Sequence, residues 1–218
     1  MTETIQKVSE ILNQLKVWHK IQENYIITRR KQIRIPEINS EIAYLAGVIA
    51  GDGAITKTKR KMGGYYYRIQ IVGRKNYIEK LIPLINRLFN YKIKILRDKR
   101  KQNTYYINIQ TAYFIMLGLK PGKKLHPTVP SIIAENPILF KHYLKGLIDT
   151  DGHVKPTGRV QLKQRSKTYL QQIVYLIIEK HMKIKASQLR VNYTEGKPYY
   201  YIRSVSYTHL TLPTTPYV

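Results

Sequence analysis

The sequence predicts an α+β protein built from two similar αββαββ halves that are related by a pseudo-two-fold axis. The first observation is a duplicated nonapeptide, since "LAGVIAGDG" at residues 45–53 is followed by "LKGLIDTDG" at residues 144–152. The second is that each copy precedes the same series of patterns, first period-two alternation and then helical spacing. Each half is therefore expected to form an antiparallel sheet with one apolar face covered by helices and one polar, basic face.

The composition favours a protein that binds a polyanion. Lys and Arg total 38 against 13 acidic residues, which gives a net charge of +25, and nucleic acid is the expected partner. The 19 tyrosines can add stacking and hydrogen bonds to such a surface. A structural or merely adhesive basic protein remains an alternative on charge alone. The lack of cysteine excludes disulfides, thiolate zinc sites and cysteine nucleophiles.

No part of the sequence has the pattern of a membrane span or a secretion signal. Its apolar runs fall short of the roughly 20 residues that cross a bilayer. The first thirty residues lack the basic start and the continuous apolar stretch of a signal peptide. The protein is therefore expected in the cytoplasm of a prokaryotic cell or in an organelle matrix, without a membrane contact.

Residues 1–36 are predicted to form a helical extension and a linker. Apolar residues recur at helical spacing from residue 3 to about residue 23, ending with Trp18 and Ile21. The basic segment "TRRKQIRIPEINS" then leads to Asn39 or Ser40, either of which can cap the next helix.

The first half is predicted to span residues 37–119. The first nonapeptide ends its first helix, and a hairpin follows with the turn "KMGG" and with Ile69 and Ile71 on the apolar face. The next helix contains Pro83, where a kink or break is expected. The strands "YKIKILRD" and "TYYINIQ" form a second hairpin, and "TAYFIMLGL" forms a short closing helix. The polar side chains expected on the outward face are Arg68, Gln70, Lys92, Lys94, Tyr106, Asn108 and Gln110.

The second half is predicted to span residues 137–205, after a linker over residues 120–136 that is rich in Pro and Lys. Asn136 and Pro137 form a favourable cap and first-turn pair for its motif helix. The same ββαββ series then repeats. The tail over residues 206–218 breaks the scheme with Thr and Pro, and is set aside as a frayed end or a non-native read-through.

Small residues form a stripe on each motif helix. Gly47 and Gly51 lie four residues apart in the first helix, and Gly146 and Thr150 occupy the same register in the second. Such stripes let two helices approach backbone to backbone. The two motif helices are therefore expected to pack against each other at the pseudo-dyad.

This packing would bring Asp52 and Asp151, which are 99 residues apart in sequence, to the carbonyl ends of two neighbouring helices. Two carboxylates there repel each other and both helix dipoles unless a cation lies between them. Together with the carbonyls of Gly51 and Thr150, they form a coherent ligand set for Mg²⁺ or Mn²⁺. A metal ion beside a bound phosphate backbone would support phosphodiester hydrolysis. A lone Asp-Gly is more often a simple helix-ending turn, but that interpretation does not explain the duplication.

The sequence resembles the LAGLIDADG homing endonucleases of the single-chain, two-motif type. Seven of nine positions in each nonapeptide carry the family residue when Val is accepted for Leu. The resemblance implies a saddle of two four-stranded sheets in the major groove of DNA, with the motif aspartates binding Mg²⁺ at the scissile phosphates. It also implies cleavage of both strands of a long, asymmetric site by a monomer without an obligate protein partner.

The resemblance further implies polar or basic residues near the attacking water, at the end of the second strand of each half. The candidates are Arg74, Gln164 and Arg165, whereas Gly73 stands where a glutamine is often found. Asp149 is expected to serve helix-end packing or to make a minor contribution to the site. DNA contacts are expected from the outward residues of the first half, from Lys57 and Lys59 near the first hairpin turn, and from Gln161, Lys163, Lys185 and Arg203.

Two other functions are also compatible with the sequence. An RNA maturase, or a nucleic-acid-binding protein of the same fold, would use the basic sheets without cutting. A structural protein of a ribonucleoprotein particle would explain the charge but not the duplicated motif. The intact aspartates favour cleavage, because a pure binder gains nothing from two carboxylates beside a polyanion.

Overall fold

The computed structural model describes residues 3–29, 31–59, 65–99, 101–120, 127–156, 159–183 and 186–203. The chain divides into two compact units. The first unit holds the described residues up to Ile42 together with Asp52–Gly122, and the second holds Ala43–Gly51 together with the described residues from Lys123 onward. The greater part of the first motif helix thus packs within the second unit, although it precedes the first hairpin in sequence.

The N-terminal segment contains a sheet that was not predicted from the sequence. Helix α1 ends at Gln14, and three antiparallel strands follow in the order β1-β2-β3. Lys16 and Glu23 adopt left-handed backbone angles, with φ of 54° and 51°, which end the helix and turn β1 into β2. The prediction of one helix from residue 3 to about residue 23 is therefore wrong beyond Gln14. The elements are α1 (Glu3–Gln14), β1 (His19–Gln22), β2 (Tyr25–Thr28) and β3 (Gln32–Arg34).

The first motif helix and the first central sheet follow the predicted series. Asn39 caps α2, since its Oδ1 accepts hydrogen bonds from the N–H groups of Glu41 and Ile42 at 3.0 Å. The predicted "KMGG" turn lies outside the described residues. The elements are α2 (Ser40–Asp52), β4 (Gly53–Lys59), β5 (Tyr65–Gly73), α3 (Lys75–Phe89), β6 (Leu96–Arg97), β7 (Tyr105–Ile109) and α4 (Thr111–Met116).

Two details of the first half differ from the prediction. Helix α3 runs through Pro83 without a break, because its buried apolar face outweighs the hydrogen bond that proline removes. Strand β6 has only two residues, so Lys92 and Lys94 are not on a strand. The N–H of Ile93 instead donates to Oδ1 of Asn86 at 2.9 Å, which ties this segment to the end of α3.

The second unit repeats the series after one additional short helix, α5, in the predicted linker. Asn136 caps α6, because its Oδ1 accepts from the N–H groups of Ile138 and Leu139 at 2.9 and 3.1 Å. Helix α7 continues into a π-helical segment at Leu176–His181. The elements are α5 (Ser131–Glu135), α6 (Pro137–Asp151), β8 (Gly152–Val154), β9 (Val160–Gln164), α7 (Lys167–Tyr175), β10 (Arg190–Thr194) and β11 (Lys197–Arg203).

The two central sheets have the same topology. Their strand orders are β4-β5-β7-β6 and β8-β9-β11-β10, with every neighbouring pair antiparallel. One face of each sheet is apolar and buried, with the helices of its half supplying further core residues. This face carries Ile55, Ile69, Ile71, Ile107 and Ile109 in the first sheet and Val160, Leu162 and Ile202 in the second. The α+β class and the duplicated αββαββ units are confirmed.

Within the described part of the chain, no helix has both the length and the apolar character needed to span a bilayer.

Candidate functional site

The two motif helices touch through their glycines, all within the second unit. A methyl group on Gly47 would lie 2.0 Å from the carbonyl oxygen of Tyr143, and one on Gly146 would lie 2.1 Å from that of Tyr44. Carbon atoms cannot approach oxygen so closely, so only glycine fits at either position. Further along, a methyl group on Gly51 would lie 1.8 Å from Oγ1 of Thr150. The predicted contact between small-residue stripes is therefore present.

Each motif helix ends at its aspartate. Asp52 is the last residue of α2 and is exposed, and Asp151 is the last residue of α6 and is half-buried. Gly51 and Thr150 come directly before them, in a helical turn whose carbonyl groups can bind partners other than the N–H groups of the helix itself.

Asp151 lies in a cavity of about 410 Å³ in the second unit. Nε2 of Gln164, at the end of β9, donates a hydrogen bond to its Oδ2 at 2.8 Å. Oδ2 also comes close to α2, since a methyl group on Gly51 would lie 3.4 Å from it. Lys163 and Arg165 line the same cavity and add positive charge beside the carboxylate. The structure thus brings four other predicted site residues together around the Asp151 carboxylate, namely Gly51, Lys163, Gln164 and Arg165.

Arg165 is held by the neighbouring strand. Its Nη1 donates to the carbonyl oxygens of Lys197 and Pro198 at 3.2 and 3.3 Å, at the start of β11. Charge-assisted bonds of this kind fix the guanidinium group in one place. Arg165 can therefore present positive charge to an anion in the cavity without a large side-chain rearrangement.

The side chains of Thr150 and Asp149 take part in hydrogen bonds within the pair of motif helices. Oγ1 of Thr150 donates to the carbonyl oxygens of Gly146 and Leu147 at 3.1 and 3.0 Å. The Tyr44 hydroxyl donates to Oδ2 of Asp149 at 2.9 Å. Burial raises the pKa of Asp149, while this hydrogen bond and the charge of Lys145 lower it. Asp149 thus links α6 to α2, in keeping with its expected packing role.

A pair of buried tyrosines beneath Asp151 was not predicted from the sequence. The hydroxyl groups of Tyr143, on α6, and Tyr169, on α7, form a short hydrogen bond in the core. Burial raises the pKa of both, and the charge of Asp151 further raises the pKa of Tyr169. Neither residue breaks the helical spacing of its segment, so no sequence signal distinguishes them from ordinary core tyrosines.

The first half lacks the polar strand end that the second half has. Strand β5 ends at Gly73, where a methyl group would lie 2.8 Å from Cδ1 of Tyr77. Arg74 follows as the exposed N-cap of α3, and its side chain makes no capping hydrogen bond. No side-chain amide therefore stands at this position.

Polar side chains occupy the face of each central sheet opposite its apolar face. In the first sheet, Gln70 pairs with Asn108 and Thr56 pairs with Arg68. Tyr106 lies on the same face, further along β7.

In the second sheet, Gln161 pairs with Arg203 and Lys163 pairs with Tyr201. Nζ of Lys163 lies 5.5 Å from the ring centroid of Tyr199, and Cζ of Arg203 lies 5.3 Å from that of Tyr201. Tyr199 and Tyr201 are thus two further residues of this face that were not predicted individually.

Several predicted DNA-contact residues lie elsewhere. Lys57 lies on the same face as Ile55, and its Nζ is 5.8 Å from the Tyr67 ring centroid. Lys92 and Lys94 are exposed on an irregular segment, and Gln110 caps α4 by accepting from the N–H of Thr111 at 3.0 Å. Lys185 lies outside the described residues, as does the side chain of Lys59.

The donor set suits a hard cation. Among the residues that the structure describes, no group of three or more His, Cys, Asp or Glu side chains could hold a metal ion. A hard cation such as Mg²⁺ takes carboxylate, carbonyl, water and phosphate oxygens.

Comparison with known proteins agrees with this architecture. A family model described as a LAGLIDADG-like domain matches residues 141–210. A crystal structure of I-DmoI in complex with DNA and Ca matches with a TM-score of 0.62 and 20% identity, over 78% of this chain and 85% of the other. Residues 141–210 therefore resemble a LAGLIDADG-like domain, and the chain has the same fold as I-DmoI.

Two curated proteins to which this chain is similar are much larger. A DNA polymerase of Thermococcus litoralis is 23% identical over 145 residues, which are 66% of this chain and 8% of the polymerase. The ribonucleoside-diphosphate reductase NrdEB subunit alpha of Bacillus subtilis (strain 168) is 29% identical over 168 residues, which are 72% of this chain and 15% of the subunit. The chain therefore spans only a small part of the curated relatives it matches.

Proposed function

We propose that the protein is a site-specific homing endonuclease that hydrolyses phosphodiester bonds in both strands of a long, asymmetric DNA site. The observation that carries this proposal is the pair of motif helices, packed backbone to backbone through Gly47 and Gly146 and each ending in an aspartate. The packing needs the glycines but not the aspartates. Carboxylates at two helix C-termini oppose the helix dipoles, so their presence in both motifs favours a chemical role.

The sheets supply the means to hold DNA. A net charge of +25 favours binding to the phosphate backbone. Arg, Lys, Gln and Asn side chains on the polar faces can donate to base edges in the major groove. The rings of Tyr199 and Tyr201 lie close to the cationic groups of Lys163 and Arg203 on the polar face of the second sheet. These features support a protein that binds duplex DNA, and we propose that it does so as a monomer.

We propose that Asp52 and Asp151 supply carboxylate oxygens to Mg²⁺ or Mn²⁺, and that Gly51 and Thr150 supply carbonyl oxygens. Such an ion would activate water for attack and stabilise the leaving oxygen. The hydrogen bond from Gln164 orients the carboxylate of Asp151. Lys163 and Arg165 add positive charge that would attract the scissile phosphate.

The similarities to I-DmoI and to the curated relatives support the proposed endonuclease function, but the proposal does not depend on them. I-DmoI is called a homing endonuclease, and it has been crystallised with DNA and Ca and with DNA and Mn. The two curated relatives perform unrelated reactions, yet each matches this chain over a small fraction of its length. A segment found in such different enzymes behaves as an independent module, so we do not transfer polymerase or reductase activity to this chain.

The alternative is a maturase or another nucleic-acid-binding protein that does not cut. Both functions would use the same sheets. They differ in what the aspartates contribute, because only cleavage requires a carboxylate at the end of each motif helix.

The test replaces one carboxylate at a time. The target is first selected from a library of random duplexes by binding in EDTA, and its cleavage is then measured in Mg²⁺. Asp52→Asn and Asp151→Asn should then each lower double-strand cleavage by about a hundredfold or more, while binding is kept or improved. Asp98→Asn is the matched control, because Asp98 is the one aspartate outside the nonapeptides.

Full cleavage by either motif variant would refute the assignment of the carboxylates. A wild-type protein that selects and binds a site but never cuts it would establish the maturase or binding-protein alternative instead.

A further inference from the structure

A second basic surface lies in the first unit, next to the polar face of its central sheet. An open groove of about 910 Å³ runs between the N-terminal segment and strands β5 and β7. Lys16 and Trp18 lie on one part of its wall, and Arg29 and Lys31 flank the β2–β3 turn. None of these four residues belongs to the sheet positions predicted to contact DNA. We call this surface the N-terminal groove.

The side chains of the N-terminal groove suit a phosphate backbone. Lys16, Arg29 and Lys31 are exposed, and none of the described residues that line the groove is acidic. The indole of Trp18, the only tryptophan in the sequence, is 49% exposed, which is unusual for so large an apolar side chain. An exposed aromatic ring among cations is typical of surfaces that bind sugar and base edges along with phosphates.

Two buried polar atoms give independent evidence for a ligand. Nε of Arg68 and Oδ1 of Asn108 are inaccessible to solvent and have no hydrogen-bond partner among the described residues. Both side chains line the groove. Unpaired buried polar atoms cost free energy, so a ligand that supplies an acceptor for Arg68 and a donor for Asn108 would be favoured there.

We propose that the N-terminal groove is a second DNA-binding element, which holds the duplex that flanks the first half-site. Lys16, Arg29 and Lys31 contact phosphates, and Trp18 packs against the sugar-phosphate edge. Because Arg68 and Asn108 belong to both the groove and the polar face of the sheet, a duplex that leaves the sheet at their position enters the groove directly. This inference rests on the proposed DNA-binding function and extends the length of DNA that the protein covers.

The experiment compares two charge-matched double variants of the full chain. Lys16→Gln with Arg29→Gln removes two groove charges. Lys7→Gln with Lys80→Gln removes two exposed charges on α1 and α3, outside the groove. Binding and footprints are measured in EDTA on the selected target, extended at both ends by one helical turn, at several salt concentrations.

The groove variant should lose about 0.9 from the slope of log K against log salt for each phosphate contact removed. Its affinity should fall about tenfold, and its footprint should shorten at one end only. Trp18→Ala should shorten the same end while leaving the salt slope unchanged. The control pair should keep the wild-type footprint and lose less than about twofold in affinity, since it removes equal charge away from the contact.

An unchanged footprint and salt slope in the groove variant would overturn the inference. Equal losses of affinity in both double variants would also overturn it, because they would indicate only general electrostatic attraction. Tighter binding of the wild-type protein to RNA of the same sequence would overturn it as well. The outcome is separable from that for the proposed activity. If the wild-type protein cuts its site but the groove variant keeps the wild-type footprint, only the groove inference is refuted. If the wild-type protein never cuts but the groove variant shows the shortened footprint, only the proposed cleavage is refuted.

Discussion

The two halves of the protein have the same strand order but different residues where the second strand ends. Strand β9 ends at Gln164, whose amide donates to Asp151, whereas strand β5 ends at Gly73. The helix contacts, in contrast, are closely matched, with methyl groups on Gly47 and Gly146 falling 2.0 and 2.1 Å from opposing carbonyl oxygens. The contact between the motif helices is thus nearly symmetric, whereas the residues at the ends of the second strands differ between the two halves.

The largest effect is expected where the halves agree. Gly47→Ala and Gly146→Ala should each destabilise the fold by about 3 kcal/mol or more, because backbone carbonyls cannot move aside as side chains can. Thermal or urea unfolding of each variant measures the loss. The two values should be similar if the contact is symmetric.

Gly196→Ala is the control for this pair. Gly196 has a φ of 71°, but a methyl group there would meet no atom within 4 Å. Its cost should be limited to the backbone penalty of about 1–2 kcal/mol. Equal losses at all three glycines would contradict the steric explanation.

The parts of the fold that the sequence predicted well depend on local chemistry. Asn39 and Asn136 cap the motif helices by bonding to N–H groups two and three residues ahead. The stripes that begin at Gly47 and Gly146 could be predicted, because small residues at a four-residue spacing are typical of close helix packing. The alternation of isoleucines fixed which face of the first sheet is buried.

The parts that the sequence did not predict depend on competition between patterns or on distant contacts. Ile21 fits a helix and a strand equally well, and the left-handed turn at Glu23 decided the outcome. Lys92 and Lys94 follow a strand-like alternation, but Asn86 captures the backbone N–H of Ile93.

Other features of the site could be read from sequence to different degrees. Lys57 follows Ile55 by two residues on β4, so strand alternation alone places its side chain on the apolar face. The hydroxyl pair of Tyr143 and Tyr169 joins residues 26 apart in sequence and had no local signal.

The next effect probes where the halves differ. Gln164→Leu removes the amide that orients Asp151, so cleavage of one strand should slow by up to about a hundredfold while binding is retained. Nicked DNA should then accumulate, because the other strand is cut at its normal rate. A time course on a supercoiled plasmid carrying the selected site separates nicked from linear product.

Gly73→Gln is the reciprocal change in the first half. It introduces an amide where none stands, provided that the ring of Tyr77 moves away from the new Cβ. If the polar strand end matters, this variant should bring the two strand-cleavage rates closer together. Equal slowing of both strands by Gln164→Leu would contradict a role confined to the second motif.

The smallest effect concerns how each sheet reads its own half of the site. Arg68 and Arg203 lie on the polar faces of the two sheets, whereas Lys57 lies on the opposite face of the first sheet. Arg68→Ala and Arg203→Ala should each lower the preference for one base about tenfold, within the range of a single bidentate contact. Each change should fall in a different half-site, and Lys57→Ala should alter no base preference. The measurement is a competition titration against single-base variants of the site at two salt concentrations. Affinity from phosphate contacts falls as the salt concentration rises, whereas the preference for one base over another changes little. Uniform losses across all base variants for both arginines would mean that these side chains bind backbone only, and that base selection lies with other residues of the sheets.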